Sequence, residues 1–309
     1  MEIGALLKPD PEVLEIVRLA KLSEDSGFDF VGIFDDLLFP SATRKELYVT
    51  LTAIALNTST IKIGSWATNC WSRHPILNAY AMATLDALCG KRTFMGIAWG
   101  GPHARSVSRV KPTHKFCEEA LIMMRKVLNG ELQEVNGWEY RLHEPMPHIP
   151  IYWAAQAEQS IKLGCRLSNG VIIGGPISSV HEQRLSGTIQ QIENSIKEVG
   201  KTRSEVQILM NAPTSVSNDR EEAIDDIMDY LRTMFTYIGL GPDKAPPRAA
   251  IEHTSMAGTP EEVIKGLNLV KRLGIDKVGM VLPDKIPKKE RTIKLLKDEV
   301  FPHINRSSR

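Results

Sequence analysis

From one end to the other the chain alternates short β-branched, apolar runs with amphipathic stretches, and no single motif limits the fold as strongly. Strand patterns lie at Glu2 to Leu7, Phe28 to Phe34, Ile61 to Ala67, Thr93 to Ala98, Ile151 to Ala155, Gly170 to Gly174, Val206 to Ala212 and Lys277 to Leu282. The stretches between them carry helix signals with a physical cause. Asp10 before Pro11 offers a cap to a helix whose Val13, Ile16, Val17 and Ala20 share a face and which Gly27 can end. Thr259 and Glu262 have capping-box spacing around Pro260, Val263, Leu267 and Val270 form a buried stripe, and Gly274 stops that helix before the last strand. Eight strands in strict alternation with helices favour a closed α/β barrel, the (β/α)8 or TIM barrel, over an open sheet.

Such barrels often run to ~250 residues as one unit, so residues 1–309 are read as a single domain with two insertions. The first, 130–149, holds Asn136-Gly137 between strand-forming residues and predicts a surface hairpin. The second, 234–258, passes Gly239, Gly241, Pro242, Pro246 and Pro247 without periodicity, as a lid over the barrel mouth would. A net charge of +1 without a long basic stripe argues against nucleic acid as a partner. No basic region followed by an apolar stretch opens the chain, and no apolar run nears the ~18 residues that cross a bilayer. The expectation is a cytoplasmic protein with no membrane contact. Cys70, Cys89, Cys117 and Cys165 are too widely spaced for a zinc pattern or a Cys-x-x-Cys pair, which fits reduced thiols. His103 and His114 are too far apart for one helical turn, so no metal is expected.

In a parallel barrel, ligands sit outside the carboxyl ends of the strands, so the residues just after each strand are the candidates for chemistry. They are Asp35 and Asp36 after the second strand, then Thr68, Asn69, Arg73 and His74 after the third. Trp99, Gly100, Gly101 and His103 follow the fourth, Gln156 and Glu158 the fifth, and Asp284 and Lys285 the eighth. Arg73 brings a rigid fork suited to carboxylate or phosphate, and His74 can shuttle a proton near neutral pH or simply hydrogen-bond. Free amides where Gln156-Ala157-Glu158-Gln159-Ser160 opens a helix can hold a phosphate.

Several segments in order carry a resemblance. They are Ser26 to Asp36, Ile63 to Asn69 with Ser72-Arg73-His74-Pro75, Ala83 to Leu88 with Gly90-Lys91-Arg92, Thr93 to Ala98, Ile151 to Gln156, and Ala257 to Glu262. Together they resemble the bacterial luciferase-like superfamily of flavin and deazaflavin enzymes, over nearly the whole chain. The Asn-x-x-Ser-Arg-His-Pro loop and the Ala-Thr-Leu-Asp run are most similar to its coenzyme F-420 branch, which includes methylene-tetrahydromethanopterin reductase. The resemblance implies a luciferase-like TIM barrel whose mouth holds a bent tricyclic ring. Asp35 and Asp36 would lie at one side of it, with Thr68 and Asn69 on its polar edge. Trp66 and Ala67 would belong to a bulged third strand, where the deazaflavin branch backs the ring with a non-prolyl cis peptide. Arg73 joins this cofactor-binding set. The cofactor phosphate would sit near Gln156, Ala157 and Ser160, with Gly174 and Gly175 close by.

The implied activity is hydride transfer between coenzyme F-420 and a small organic substrate, with Asp36 or His74 orienting substrate or relaying a proton. One alternative is an FMN-dependent monooxygenase fed by a separate flavin reductase, and another is a non-catalytic flavin-binding paralogue. The family also implies a homodimer through the helices of Lys45 to Asn57 and Pro75 to Cys89. The chain departs from the family at four places. Trp66 stands where a small residue is usual, Gly101 where several dehydrogenases carry an acid, Leu6 where a methanopterin reductase has glutamate, and Ala157-Glu158 where Gly-Pro is usual.

Overall fold

The computed structural model describes residues 1–8, 12–35, 45–100, 113–174, 182–237, 241–245 and 247–304. The strands are β1 (Glu2–Leu7), β2 (Phe30–Ile33), β3 (Lys62–Asn69), β4 (Thr93–Ala98), β5 (Gln133–Val135), β6 (Trp138–Tyr140), β7 (Ile151–Ala154), β8 (Gly170–Ile173), β9 (Gln207–Val216), β10 (Met256–Gly258) and β11 (Lys277–Val281). The helices are α1 (Val13–Asp25), α2 (Leu47–Asn57), α3 (Pro75–Cys89), α4 (His114–Leu128), α5 (Glu158–Leu167), α6 (Glu182–Glu198), α7 (Arg220–Tyr237), α8 (Ile251–Thr254), α9 (Pro260–Arg272) and α10 (Ile286–Leu295). The main sheet runs β9-β11-β1-β2-β3-β4-β7-β8, and a further β8–β9 pairing closes it into a parallel barrel with β10 as an extra strand on β9. All eight strands expected from the sequence form this ring.

Where boundaries differ, a local cause is visible. Gly27 sits at φ 87 and the Phe28 N–H donates to Ser23 O, so Phe28 ends the helix turn before β2 begins. Its ring packs edge-on against Phe301 at 5.0 Å. β9 outruns its expected end because β10 pairs with Thr214 to Val216. The same pairing turns Met256–Gly258, the last part of the expected lid, into sheet. Residues 238–240 and 246 of that segment lie outside the described residues, as do Asp10 and Pro11. α1 starts at Val13 and buries Ile16, Val17 and Ala20. Gln133–Val135 and Trp138–Tyr140 form an antiparallel pair across Asn136 and Gly137, both at positive φ. Thr259 caps α9 in a full capping box with Glu262.

Side chains alternate across each strand, and two separate cores follow. Outward residues such as Ile3, Ile63, Met95, Trp153 and Met210 pack under the helices, while Leu6, Phe30, Trp66, Phe94, Tyr152, Ile172 and Leu209 fill the barrel. The interior fits because large rings face glycines in the adjacent strand. Phe30 is in register with Gly4, Phe94 with Gly64, and Tyr152 with Gly96 and Gly170. A Cβ on Gly4 would stand 2.2 Å from the Phe30 ring, and one on Gly64 would stand 2.6 Å from the Phe94 ring and 2.1 Å from the Phe94 carbonyl oxygen. With no room for both a side chain and a ring at these levels, the barrel is a packed plug and its ends are left for ligands.

Candidate active site

At the carboxyl end of β3 the ladder with β4 slips between Ser65 and Thr68, and the Trp66–Ala67 peptide is cis, in the stretch where the family resemblance implies one. Alternation from Gly64 turns Trp66 into the barrel, and beyond the slip Thr68 and Asn69 end the strand at the mouth. The Trp66 indole is 2% exposed, stacks on Phe30 at 5.2 Å, and donates to Asn211 Oδ1 of β9. It therefore serves as the floor beneath the mouth.

Above that floor the sequence candidates split into groups. Thr68 Oγ1 donates to Asp35 Oδ2 at 2.5 Å, and Arg73 Nη1 donates to the same oxygen at 2.6 Å. Arg73 Nη2 also binds Glu46, the N-cap of α2, so one guanidinium ties the end of β2, the start of α2 and the loop after β3. Burial works against its charge, but Asp35 and Glu46 outweigh burial and hold its pKa above the ordinary arginine value. Asn69 turns its side-chain carbonyl back onto the loop, accepting from the Trp71 and Ser72 N–H groups at 2.9 Å each. Its backbone carbonyl takes Asn78 Nδ2 of α3 at 3.1 Å. His74 is exposed and caps α3, its Nδ1 accepting from Ile76 N at 3.3 Å.

Across the mouth, Ala157 is the N-cap of α5 with no side-chain cap bond, and Gln156 and Glu158 are exposed beside it. Among the described residues, no N-cap side chain thus satisfies the first amides of α5. Gly174 follows β8 at φ 104. By strand alternation from Phe94, Tyr152 and Ile172, the uppermost inward positions here are Ala98, Ala154 and Gly174, all partly exposed. This side of the mouth is therefore a shelf of small residues. Asp36, Gly101, His103 and Gly175 lie outside the described residues.

Three contributors escaped the sequence reading. Lys8 follows β1 on the inward face, is nearly buried, and pairs with Asp284 with its ammonium 4.5 Å from the Tyr230 ring of α7. A lysine directly after an apolar strand was the available signal. Trp71 stacks on Phe116 of α4 at 4.9 Å and donates to Trp99 O, joining the loops after β3 and β4. Gly100, at φ 82, admits that indole, since a Cβ there would lie 2.8 Å from it. The third is Asn211, the partner of Trp66. Cys70 in the same loop is buried, and burial pushes its thiol pKa up, against a nucleophile. Among the described residues no three His, Cys, Asp or Glu side chains gather to hold a metal, and no helix is long and apolar enough to cross a membrane.

Comparison with known proteins gives one consistent picture. The family described as luciferase-like monooxygenase matches residues 1–277. 5,10-Methylenetetrahydromethanopterin reductase of Archaeoglobus fulgidus is 26% identical, covering 98% of this chain and 100% of that protein. Among solved structures, the coenzyme F-420-dependent tetrahydromethanopterin reductase of Methanopyrus kandleri superposes with a TM-score of 0.78 at 23% identity, over 98% of this chain and 99% of that one. The monooxygenase RslO1 of Streptomyces bottropensis superposes at 0.83 with 19% identity over the same shares, so one fold serves both chemistries.

Proposed function

The chain belongs to the luciferase-like monooxygenase family, and on that premise we propose that it is an oxidoreductase transferring hydride between coenzyme F-420 and a small organic substrate. The observation that carries this reading is the end-to-end match to a reductase of the F-420 branch, 26% identical over 98% of the chain. The site is compatible with it. A slipped β3, the Asp35–Thr68–Arg73 latch and the small-residue shelf support the reading that a flat ring sits at the mouth. The deazaflavin supplies the hydride chemistry when bound.

The chain's own residues then have limited tasks. Thr68 and Asn69 hold the ring's polar edge, Ala67 keeps the bulge close behind it, and Arg73 with Asp35 fixes that edge against β2. The open amides after Ala157, with Gln156, Gly174 and Gly175, take the cofactor phosphate. Asp36 orients substrate, and His74 relays a proton from its exposed position at the head of α3. The reacting protein is a homodimer joined through α2 and α3, whose outer faces expose Val49, Leu56, Leu77 and Leu88.

Equilibrium dialysis against F-420, FMN and FAD tests the cofactor. Tightest retention of F-420 is expected. Preference for FMN would replace the reading with an oxygenase supplied by a separate reductase, and retention of none would remove both enzymatic readings.

A further inference from the structure

At the end of the barrel opposite the mouth, a cavity of about 220 Å³ opens between the amino ends of the strands, walled by Phe30, Trp66, Phe94 and Tyr152. It does not belong to the redox site, because its rim carries the first residues of β1, β3, β4 and β11. Roughly 300–1,000 Å³ is usual for pockets that take drug-sized ligands, so this one has room for a single ring. Phe30 and Phe94 meet at 86° and Trp66 stacks on Phe30, so three faces of the wall are aromatic.

The charges at the rim do not balance. Glu2 is the one acid among the lining residues, and it serves two ammonium groups, Lys62 at 2.9 Å and Lys277 at 2.6 Å. Arg92 adds positive charge but no free donor. Its N–H groups go to Cys89 O, Ile61 O, Ala55 O and both oxygens of Thr58. The neighbouring acids are committed elsewhere, Asp86 to Thr93 and His148, and Asp276 to Arg203 and the Ile208 N–H. Lys277 is 9% exposed at its side chain. An excess positive charge beside aromatic walls in a partly enclosed space favours an anion with an apolar body.

We propose that this amino-end cavity binds a small organic anion composed of one ring and one carboxylate, the ring among Phe30, Phe94 and Tyr152 and the carboxylate against Lys62 and Lys277. The site is independent of the cofactor reading and stands or falls without it.

Isothermal titration of the full chain with benzoate, and with neutral benzamide as the matched control, reads the effect. Benzoate is expected to bind once per chain, benzamide to bind at least roughly tenfold more weakly, and Lys62→Gln and Lys277→Gln each to weaken benzoate roughly tenfold. Lys62 is half-exposed, so Lys62→Gln carries the test alone should Lys277→Gln fail to fold. No benzoate heat at millimolar ligand, equal binding of benzamide, or benzoate binding unchanged in Lys62→Gln would overturn the proposal. The last outcome would place the ligand elsewhere, the mouth included.

Discussion

Arg73 shows what single side chains contribute at the mouth. Its fork reaches Asp35, whose side chain is 2% exposed, and Glu46 at the head of α2. Removing the cation leaves a buried carboxylate with Thr68 as its one side-chain partner among the described residues. Arg73→Ala is therefore expected to lower stability by about 3 kcal/mol in urea unfolding. Arg73→Lys should recover less than half of that, because a point charge cannot meet both carboxylates at once. A loss near zero for Arg73→Ala would mean that the latch does not hold the loop. The positions of Thr68, Asn69 and Arg73 were legible because polar residues directly after an apolar strand have one end of the barrel to face. Their orientations were not. Nothing in the sequence told that Asn69 would fold back on its own loop, or that Trp66 would find Asn211 on a strand 145 residues away.

Between elements, a carboxylate near the end of α1 does comparable work. Glu24 Oε1 accepts from the N–H groups of Ser59, Thr60 and Ile61, pinning the chain where it enters β3, while Oε2 takes Lys21. Burial would raise its pKa, but Lys21 and those amides outweigh burial and hold it far below the usual carboxylate range. A depressed folded pKa stabilises the native state above the unfolded value and stops doing so as pH falls toward the folded one. Glu24→Gln is thus expected to cost about 2 kcal/mol at neutral pH. That gap should shrink progressively as pH drops below ~4.3. A gap that stays constant or widens in acid would contradict this account. Strand and helix periodicity, caps and glycine stops made the elements readable. Contacts such as Glu24 with residues 59–61 were not, because they join segments whose separation only the closed barrel fixes.

For the whole molecule, strict alternation was sufficient to give the barrel, since parallel strands with helical crossovers have few other ways to bury both faces. The interior packing was hidden, because each ring's glycine partner lies on another strand and depends on register. Assembly is the next level. Val49 and Leu56 on α2, with Leu77 and Leu88 on α3, are each about half or more exposed, and the two helices pack side by side. Leu56→Glu is expected to convert a dimer to a monomer in light scattering behind size exclusion, with the monomer's fold intact by circular dichroism. A wild-type chain that runs as a monomer would remove the dimer from the account. The central claim, that the carboxyl mouth seats a flat redox heterocycle, is tested most directly by a crystal structure of the chain grown with coenzyme F-420. The account predicts the tricyclic ring above Trp66, with Thr68 and Asn69 at its polar edge and its phosphate at the head of α5. Cofactor density at the amino-end cavity or on the outer surface, with the mouth left to solvent, would contradict it.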